Sequence, residues 1–328
     1  MSWLHDALSS LPEADGPSGD AVRARAAQIL RPSGALQRLD DVAAWVAEWQ
    51  RTAQPAVRRP VALIFAADHG VAAAGVSSYP TEVTAAMLAA YRGGRSTINA
   101  FARVVGAEVQ AIDVGVGSPT GDIRIEPAMS PALFEAAANA GRTAVEALDA
   151  DLLVLGEMGI GNTTAAAAVA AALAGGDPTM WVGRGTGVDD AGLDRKRLAV
   201  RLATARIGGV TDPLEVLREV GGAELVAIAA AIVAARHRRL PVVLDGYVVT
   251  AAAAPLAAVR SDALDHCLAG HCSAEPGHRK LLEGLAKHPL LDLDMRLGEG
   301  SGAMAAVPLV AMACVGVTDV PTFGEWFG

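Results

Sequence analysis

Two short stretches place a lone acid among glycines. In "RLGEGSGA" (296–303) Glu299 sits between Gly298 and Gly300, and in "LGEMGIGNTT" (155–164) Glu157 follows Gly156 and precedes Gly159 and Gly161. A carboxylate kept clear of neighbouring side chains can be held bare in a pocket, where a carboxylate is able to exchange protons. It can also stabilise positive charge developing on a substrate. A sharp turn with a solvated acid would read the same way. After the second stretch, Asn162-Thr163-Thr164 opens an alanine-rich run. Asn is a strong N-cap, and the first-turn amides of a helix face any anion placed there. The glycines would let the backbone approach a phosphate closely; an ordinary capped helix after a tight turn fits the same residues. No G-x-x-x-x-G-K-[ST] occurs, which argues against nucleoside triphosphate hydrolysis.

Other residues offer weaker chemistry. "GRGTG" (183–187) and "GVG" (115–117) are further glycine loops, and neither matches G-x-G-x-x-G. Lys196 is one of only three lysines, with Lys280 and Lys287, and stands among arginines on an expected helix, where a solvated face is the plain reading. "DHCLAGHCSAEPGH" (265–278) concentrates His266, Cys267, His271, Cys272 and His278, but without C-x-x-C its spacing does not suit a structural zinc site. Within it, Ser273 precedes a proline-started helix, another place for a phosphate oxygen. His69, in "DHGVAAAGVSSYPTEVT" (68–84), could exchange protons near neutral pH, although a histidine at a tight turn more often serves hydrogen bonding. No G-x-S-x-G elbow marks a hydrolase.

The elements that must position these residues have a common plan. "VALIFAAD", "EVQAIDVGVG", "DLLVLGEMG", "MWVGRGTG" (180–187) and "PVVLDG" are short apolar runs, and most end in an acid and glycine before a helical segment. Strands without internal alternation, separated by helices, predict a parallel sheet covered on both faces. The glycine-bearing ends then collect at the carboxyl edge, where open α/β sheets bind ligands. Residues 1–55 have helical spacing, and the expected division is a large domain over 60–290 with 1–59 and 291–328 packing together beside it.

Composition narrows the class. Of 328 residues 52% are hydrophobic and only 4% aromatic, which suits helices on a sheet better than an all-β fold. A net charge of −9 argues against a nucleic-acid partner. Three cysteines cannot form a full disulfide framework, so a reducing, cytoplasmic setting is expected. "MSWLHDALSS" lacks the pattern of a signal peptide. Of the two apolar stretches, 242–259 contains Asp245 and Gly246 and 302–317 is short and broken by Pro308, so neither reads as a membrane span.

The motifs "DHGVAAAGVS", "YP", "EVT", "GEMGIGNTT", "VGRGTG", "LDG", "SAEPGH" and "LGEGSGA", in that order from about residue 60 to 315, resemble the nicotinate-nucleotide:dimethylbenzimidazole phosphoribosyltransferase family. The resemblance implies a Rossmann-like parallel-sheet domain flanked by helices, with a small helical domain from both chain ends, in a homodimer. It implies transfer of ribose 5-phosphate from nicotinate mononucleotide to 5,6-dimethylbenzimidazole, giving nicotinate and α-ribazole 5′-phosphate for the lower ligand of cobalamin. By the same likeness Glu299 is the catalytic base; Glu157, Gly159, Gly161, Asn162, Thr163, Lys196, Gly246 and Ser273 contact ribose and phosphate; and Ser77, Ser78, Tyr79, Met87 and Leu297 form the benzimidazole pocket. Arg195 or Arg197 could stand in for Lys196, and Ser301 stands where the family often has threonine. The pyridinium is already a cationic leaving group, so the scheme calls for no metal or cofactor and only small-molecule partners, with no fused second enzyme expected. Adenine, phenols or other benzimidazoles are alternative acceptors. A nucleotide-binding protein without catalysis and a nicotinamide-dependent dehydrogenase are the remaining readings, the latter lacking its fingerprint.

Overall fold

The computed structural model describes residues 3–185 and 187–328. Five strands, β1 (Pro60–Ala67), β2 (Glu108–Gly115), β3 (Leu152–Met158), β4 (Val242–Leu244) and β5 (Cys267–Ala269), form one parallel sheet in the order β2-β1-β3-β4-β5. A small pair, β6 (His271–Cys272) and β7 (Leu291–Asp292), lies beyond it. Every residue of β1 is buried, as the unbroken apolar run requires when both faces are covered.

Side chains alternate between the two faces. Leu63, Phe65, Leu153 and Leu155 join one cluster with the helices Pro131–Glu146, Asn162–Ala174, Ala223–His237 and Tyr247–Val259. Ala62, Ile64, Leu152 and Val154 join the other, with Gly16–Ala26, Gln37–Gln50, Thr97–Val105 and Ser301–Thr318. Helices from both chain ends thus form a layer on one sheet face, while the first helix, Trp3–Ser9, packs through Leu4 and Leu8 into the opposite cluster. Each fully buried Leu or Ile contributes roughly 1.5–3 kcal/mol. Strands β2 and β3 flank β1 on opposite sides, so the connections diverge there and leave a crevice at the carboxyl edge.

Three sequence expectations are corrected. Residues 180–187 are not a strand: a 3₁₀ turn, Pro178–Trp181, capped by Asp177 accepting from Thr179 N at 2.9 Å, is followed by an irregular loop. Trp181 serves as a core plug, and Gly185 adopts φ +54°; Thr186 of "GRGTG" lies outside the described residues. The fifth strand is instead β5, inside the His/Cys-rich stretch, too short to stand out as a strand. Pro308 does not break its segment, because Ser301–Thr318 is one continuous helix.

That helix is long and apolar enough to cross a membrane by length and composition, but its inner face, Met304, Val307, Val310 and Cys314, is core against the sheet. The 242–259 run resolves into β4, a turn at Asp245-Gly246, and the helix Tyr247–Val259. Replacing Pro308 by Ala restores a backbone donor inside a helix, where proline costs ~3 kcal/mol. The smaller alanine forfeits some of the packing of the proline ring. On balance Pro308→Ala is expected to stabilise the fold by about 1–2 kcal/mol, read as a rise of a few degrees in Tm by calorimetry.

Candidate active site

Glu157 closes β3, and Glu299 lies in the turn leading into the helix Ser301–Thr318. The two turns interlock. A Cβ on Gly156 would stand 2.6 Å from Gly300 N and 2.7 Å from the Glu299 carbonyl group, so only glycine lets the Glu299 turn rest on the strand. Conversely, a Cβ on Gly298 would stand 2.5 Å from Glu157 Oε1. Gly156 thus makes room for the Glu299 turn, and Gly298 for the Glu157 carboxylate.

Glu299 itself has φ +65°, between Gly298 at +77° and Gly300 at +80°. A left-handed non-glycine residue costs roughly 1–2 kcal/mol and persists only where its surroundings over-determine it. Here Asp245, at the end of β4, accepts from Gly300 N at 3.0 Å and Ala303 N at 2.8 Å, and Ser301 Oγ donates to Gly298 O at 2.7 Å. Asp245 is fully buried and faces His271 Nε2 at 3.4 Å. Burial would push its carboxyl up, but His271 and the two backbone donors hold it below the ordinary carboxylate range.

The two glutamates behave differently. Burial, with the charges of Asp245 and Glu224 behind it, pushes Glu157 up to about 8, although Asn162 donates to it. Burial also raises Glu299, to about 6; the Tyr91 hydroxyl pulls it back and Asp245 adds to the rise. Both line one pocket with Gly159, Asn162, Thr163, Gly246, His271, Ser273, Glu275, Arg296 and Leu297, of about 90 Å³.

The far side of the pocket brings a helix N-terminus and a buried lysine together. Gly161, at φ +98°, turns β3 into the helix Asn162–Ala174. Asn162 is therefore not the N-cap the sequence suggested: the glycine occupies that place, and the Asn162 amide is used to hold Glu157. Lys196 reaches this point from the helix Asp190–Arg206, buried, with Nζ donating to Thr163 Oγ1 at 2.9 Å. Burial lowers Lys196 to about 8, partly offset by Glu275. An ammonium beside a helix N-terminus is a like-charge arrangement that a bound phosphate would relieve. Neither neighbour competes for this place: Arg195 donates to Gly75 O and Arg197 pairs with Asp194.

Most expected ribose and phosphate residues thus converge, with Gly161 and Lys196 just behind the lining. Ser273 lines the pocket but does not cap the following helix. Its N donates to His278 Nδ1 at 2.8 Å, and the cap position belongs to Glu275, which accepts from Gly185 N at 2.8 Å. The aromatic-base residues converge less well. Leu297 joins the pocket to a wider groove of about 430 Å³ that Tyr79, Phe101, Met295 and Arg296 also line. Ser77 accepts from Tyr79 N at 3.2 Å and Ser78 is exposed, whereas Met87 packs against the core; none of the three lines either cavity. Sequence reasoning gave no site role to Tyr91, Asp245, His271, Glu275 or Arg296, although all but Tyr91 stand in stretches it singled out: "LDG", "DHCLAGHCSAEPGH" and "RLGEGSGA". His69 serves hydrogen bonding, meeting Glu224 Oε1 at 2.6 Å. The histidines of 265–278 are used within the fold, His266 at Ile232 O and His278 at Thr250.

A parallel α/β sheet whose carboxyl edge joins a helix N-terminus and buried lysine to paired carboxylates has the make-up of a transferase acting on a phosphorylated sugar. A phosphoribosyltransferase family model matches residues 11–326. Relatives named nicotinate-nucleotide–dimethylbenzimidazole phosphoribosyltransferase include those of Mesorhizobium japonicum, 49% identical over 99% of this chain and 97% of its own, and Cereibacter sphaeroides, 48% identical over 99% and 96%. The crystal structure of CobT from Thermus thermophilus superposes with a TM-score of 0.90 at 44% identity, covering 94% of this chain and 98% of that one. The chain belongs to the nicotinate-nucleotide–dimethylbenzimidazole phosphoribosyltransferase family.

The interlock gives a direct test. Gly156→Ala is expected to push the Glu299 turn off the strand, lowering stability by about 1–3 kcal/mol in denaturant unfolding and removing most transferase activity. Gly316→Ala, late in the last long helix with open space where its Cβ would stand, is expected to leave activity unchanged and stability equal or slightly higher.

Proposed function

We propose that this protein transfers the 5-phosphoribosyl group of nicotinate mononucleotide to 5,6-dimethylbenzimidazole, yielding α-ribazole 5′-phosphate and nicotinate for cobalamin nucleotide-loop assembly. The observation that carries the reading is the pairing of two interlocked carboxylates with an anion cradle across one pocket. In it, Lys196, Thr163 and the first turn of Asn162–Ala174 hold the phosphate, and Glu157, Gly246 and Ser273 face the ribose. The acceptor enters by the groove that Tyr79 and Leu297 line.

An azole nitrogen attacks the anomeric carbon as the bond to the pyridinium breaks, and the electron pair of that bond neutralises the departing ring. The N–H on the azole's other nitrogen grows acidic as the new bond forms, and Glu299 accepts that proton. With its carboxyl near 6, Glu299 is mostly ionised at neutral pH yet close enough to the operating pH for efficient transfer. Attack opposite the leaving group gives the α-linkage, so the two bases lie on opposite faces of the ribose. The exposed apolar side chains of the C-terminal segment, Met312, Val315, Phe323, Trp326 and Phe327, support a homodimer, and three free buried cysteines support a cytoplasmic setting.

Incubation with nicotinate mononucleotide and dimethylbenzimidazole, followed by mass detection of both products, checks the reaction. Glu299→Gln is expected to retain nucleotide binding and lose roughly 10²-fold or more in kcat; unchanged turnover would remove Glu299 from the base role. Lys196→Met is expected to raise KM for the nucleotide by at least ~10-fold, through loss of a charge-assisted contact worth about 1.5–3 kcal/mol. Light scattering of the purified protein checks the dimer, and a monomer at working concentration counts against it.

A further inference from the structure

Tyr91 belongs to the helix Glu82–Arg92, in the cluster with Ile64 and Ile98 beneath the sheet edge. Its ring is buried, yet its hydroxyl faces the Glu299 carboxylate and lies within the field of Glu157 rather than ending among apolar atoms. The Tyr91 hydroxyl and Glu299 Oε2 are both buried, and among the described residues neither has a hydrogen bond of full geometry, with the other or elsewhere. A buried hydroxyl left unpaired costs ~1–3 kcal/mol, and phenylalanine would fill the same volume without that cost. Packing alone therefore does not account for the oxygen. The residue is also held in place: Tyr91 O accepts from Asn99 Nδ2 at 3.2 Å, and Asn99 Oδ1 accepts from Ser96 Oγ at 2.6 Å.

We propose that Tyr91 is a positioning residue for Glu299, its phenol donating to the inner carboxylate oxygen so that the outer oxygen faces the proton of the incoming azole. The inference rests on the reading of Glu299 as the base. The phenol itself stays protonated, because burial and the neighbouring carboxylates push it far above its usual range. By stabilising the ionised carboxylate it holds Glu299 lower than burial and Asp245 would leave it. The other polar groups around Glu299 are Glu157 from β3, Asp245 from β4, His271 from β6 and Arg296 from its own loop. Tyr91→Phe leaves all of them in place.

The experiment compares kcat and KM of Tyr91→Phe and the unaltered protein from pH 5.5 to 8.5, with Glu299→Gln in parallel. The acceptor's own titration is common to all three. Loss of the donor raises Glu299, so the ionised base disappears at a higher pH. The expected result is an acid limb moved upward by about half to one pH unit, with kcat about 2–5-fold lower at pH 6 and closer to normal at pH 8. KM for nicotinate mononucleotide and Tm are expected to hold. An unchanged profile, or a loss equal at every pH, overturns the proposal. If Glu299→Gln is inactive while Tyr91→Phe behaves normally, only the role of Tyr91 fails; if Glu299→Gln remains active, the reading of the base fails first.

Discussion

The Glu299 turn can rest on β3 because Gly156 has no side chain, and the Glu157 carboxylate lies against Gly298, where there is none either. The exchange is steric, and its consequences are electrostatic. Two turns from distant parts of the chain are brought to van der Waals contact at the carboxyl edge of β3, so their acids must share one pocket. Without that contact Asp245 would have no turn to cap, and the left-handed Glu299 would have nothing to offset its strain. The helix Ser301–Thr318 starts where it does for the same reason, and its inner face completes one layer of the core.

The arrangement crowds buried acids together. Glu157, Asp245 and Glu299 lie side by side, and burial opposes the charge on each. The structure separates them by what each can bond. Asp245 has backbone donors and His271, and it stays ionised; Glu157, among the described residues, has the Asn162 amide and is driven up; Glu299 lies between them. Such divergence among neighbouring carboxyls is characteristic of sites that move protons or bind cationic groups. A positively charged pyridinium entering the pocket would favour the ionised forms that burial disfavours.

At the opposite side the signs are reversed. Lys196 and the N-terminus of Asn162–Ala174 concentrate positive potential around Gly185, with Glu275 tying that loop down. A substrate with a phosphate at one end and a cation at the other matches both halves, and its orientation follows from charge. The divergence of connections at β1 and β3 supplies the crevice in which the halves meet.

The sequence by itself determined the class of fold and the glycine-rich βα turn that leads from β3 into the helix Asn162–Ala174. Apolar runs ending in glycine are local signals of buried parallel strands, and a glycine loop before an alanine-rich helix is a local signal of a βα turn. Where the signal was weak the sequence misled: "MWVGRGTG" looked like a strand, although Trp181 belongs to the core beside a 3₁₀ turn, and the three-residue β5 hid within a stretch rich in histidine and cysteine. Tyr91, Asp245 and His271 were illegible for a different reason. Each belongs to the site only through what it faces across the fold, separated by tens of residues or more from Glu299, and no spacing encodes such a meeting. The sequence showed two glycine-flanked acids; that Gly156 admits the Glu299 turn and Gly298 the Glu157 carboxylate was decided by tertiary packing alone, since a missing Cβ acquires meaning only from the atom that takes its place.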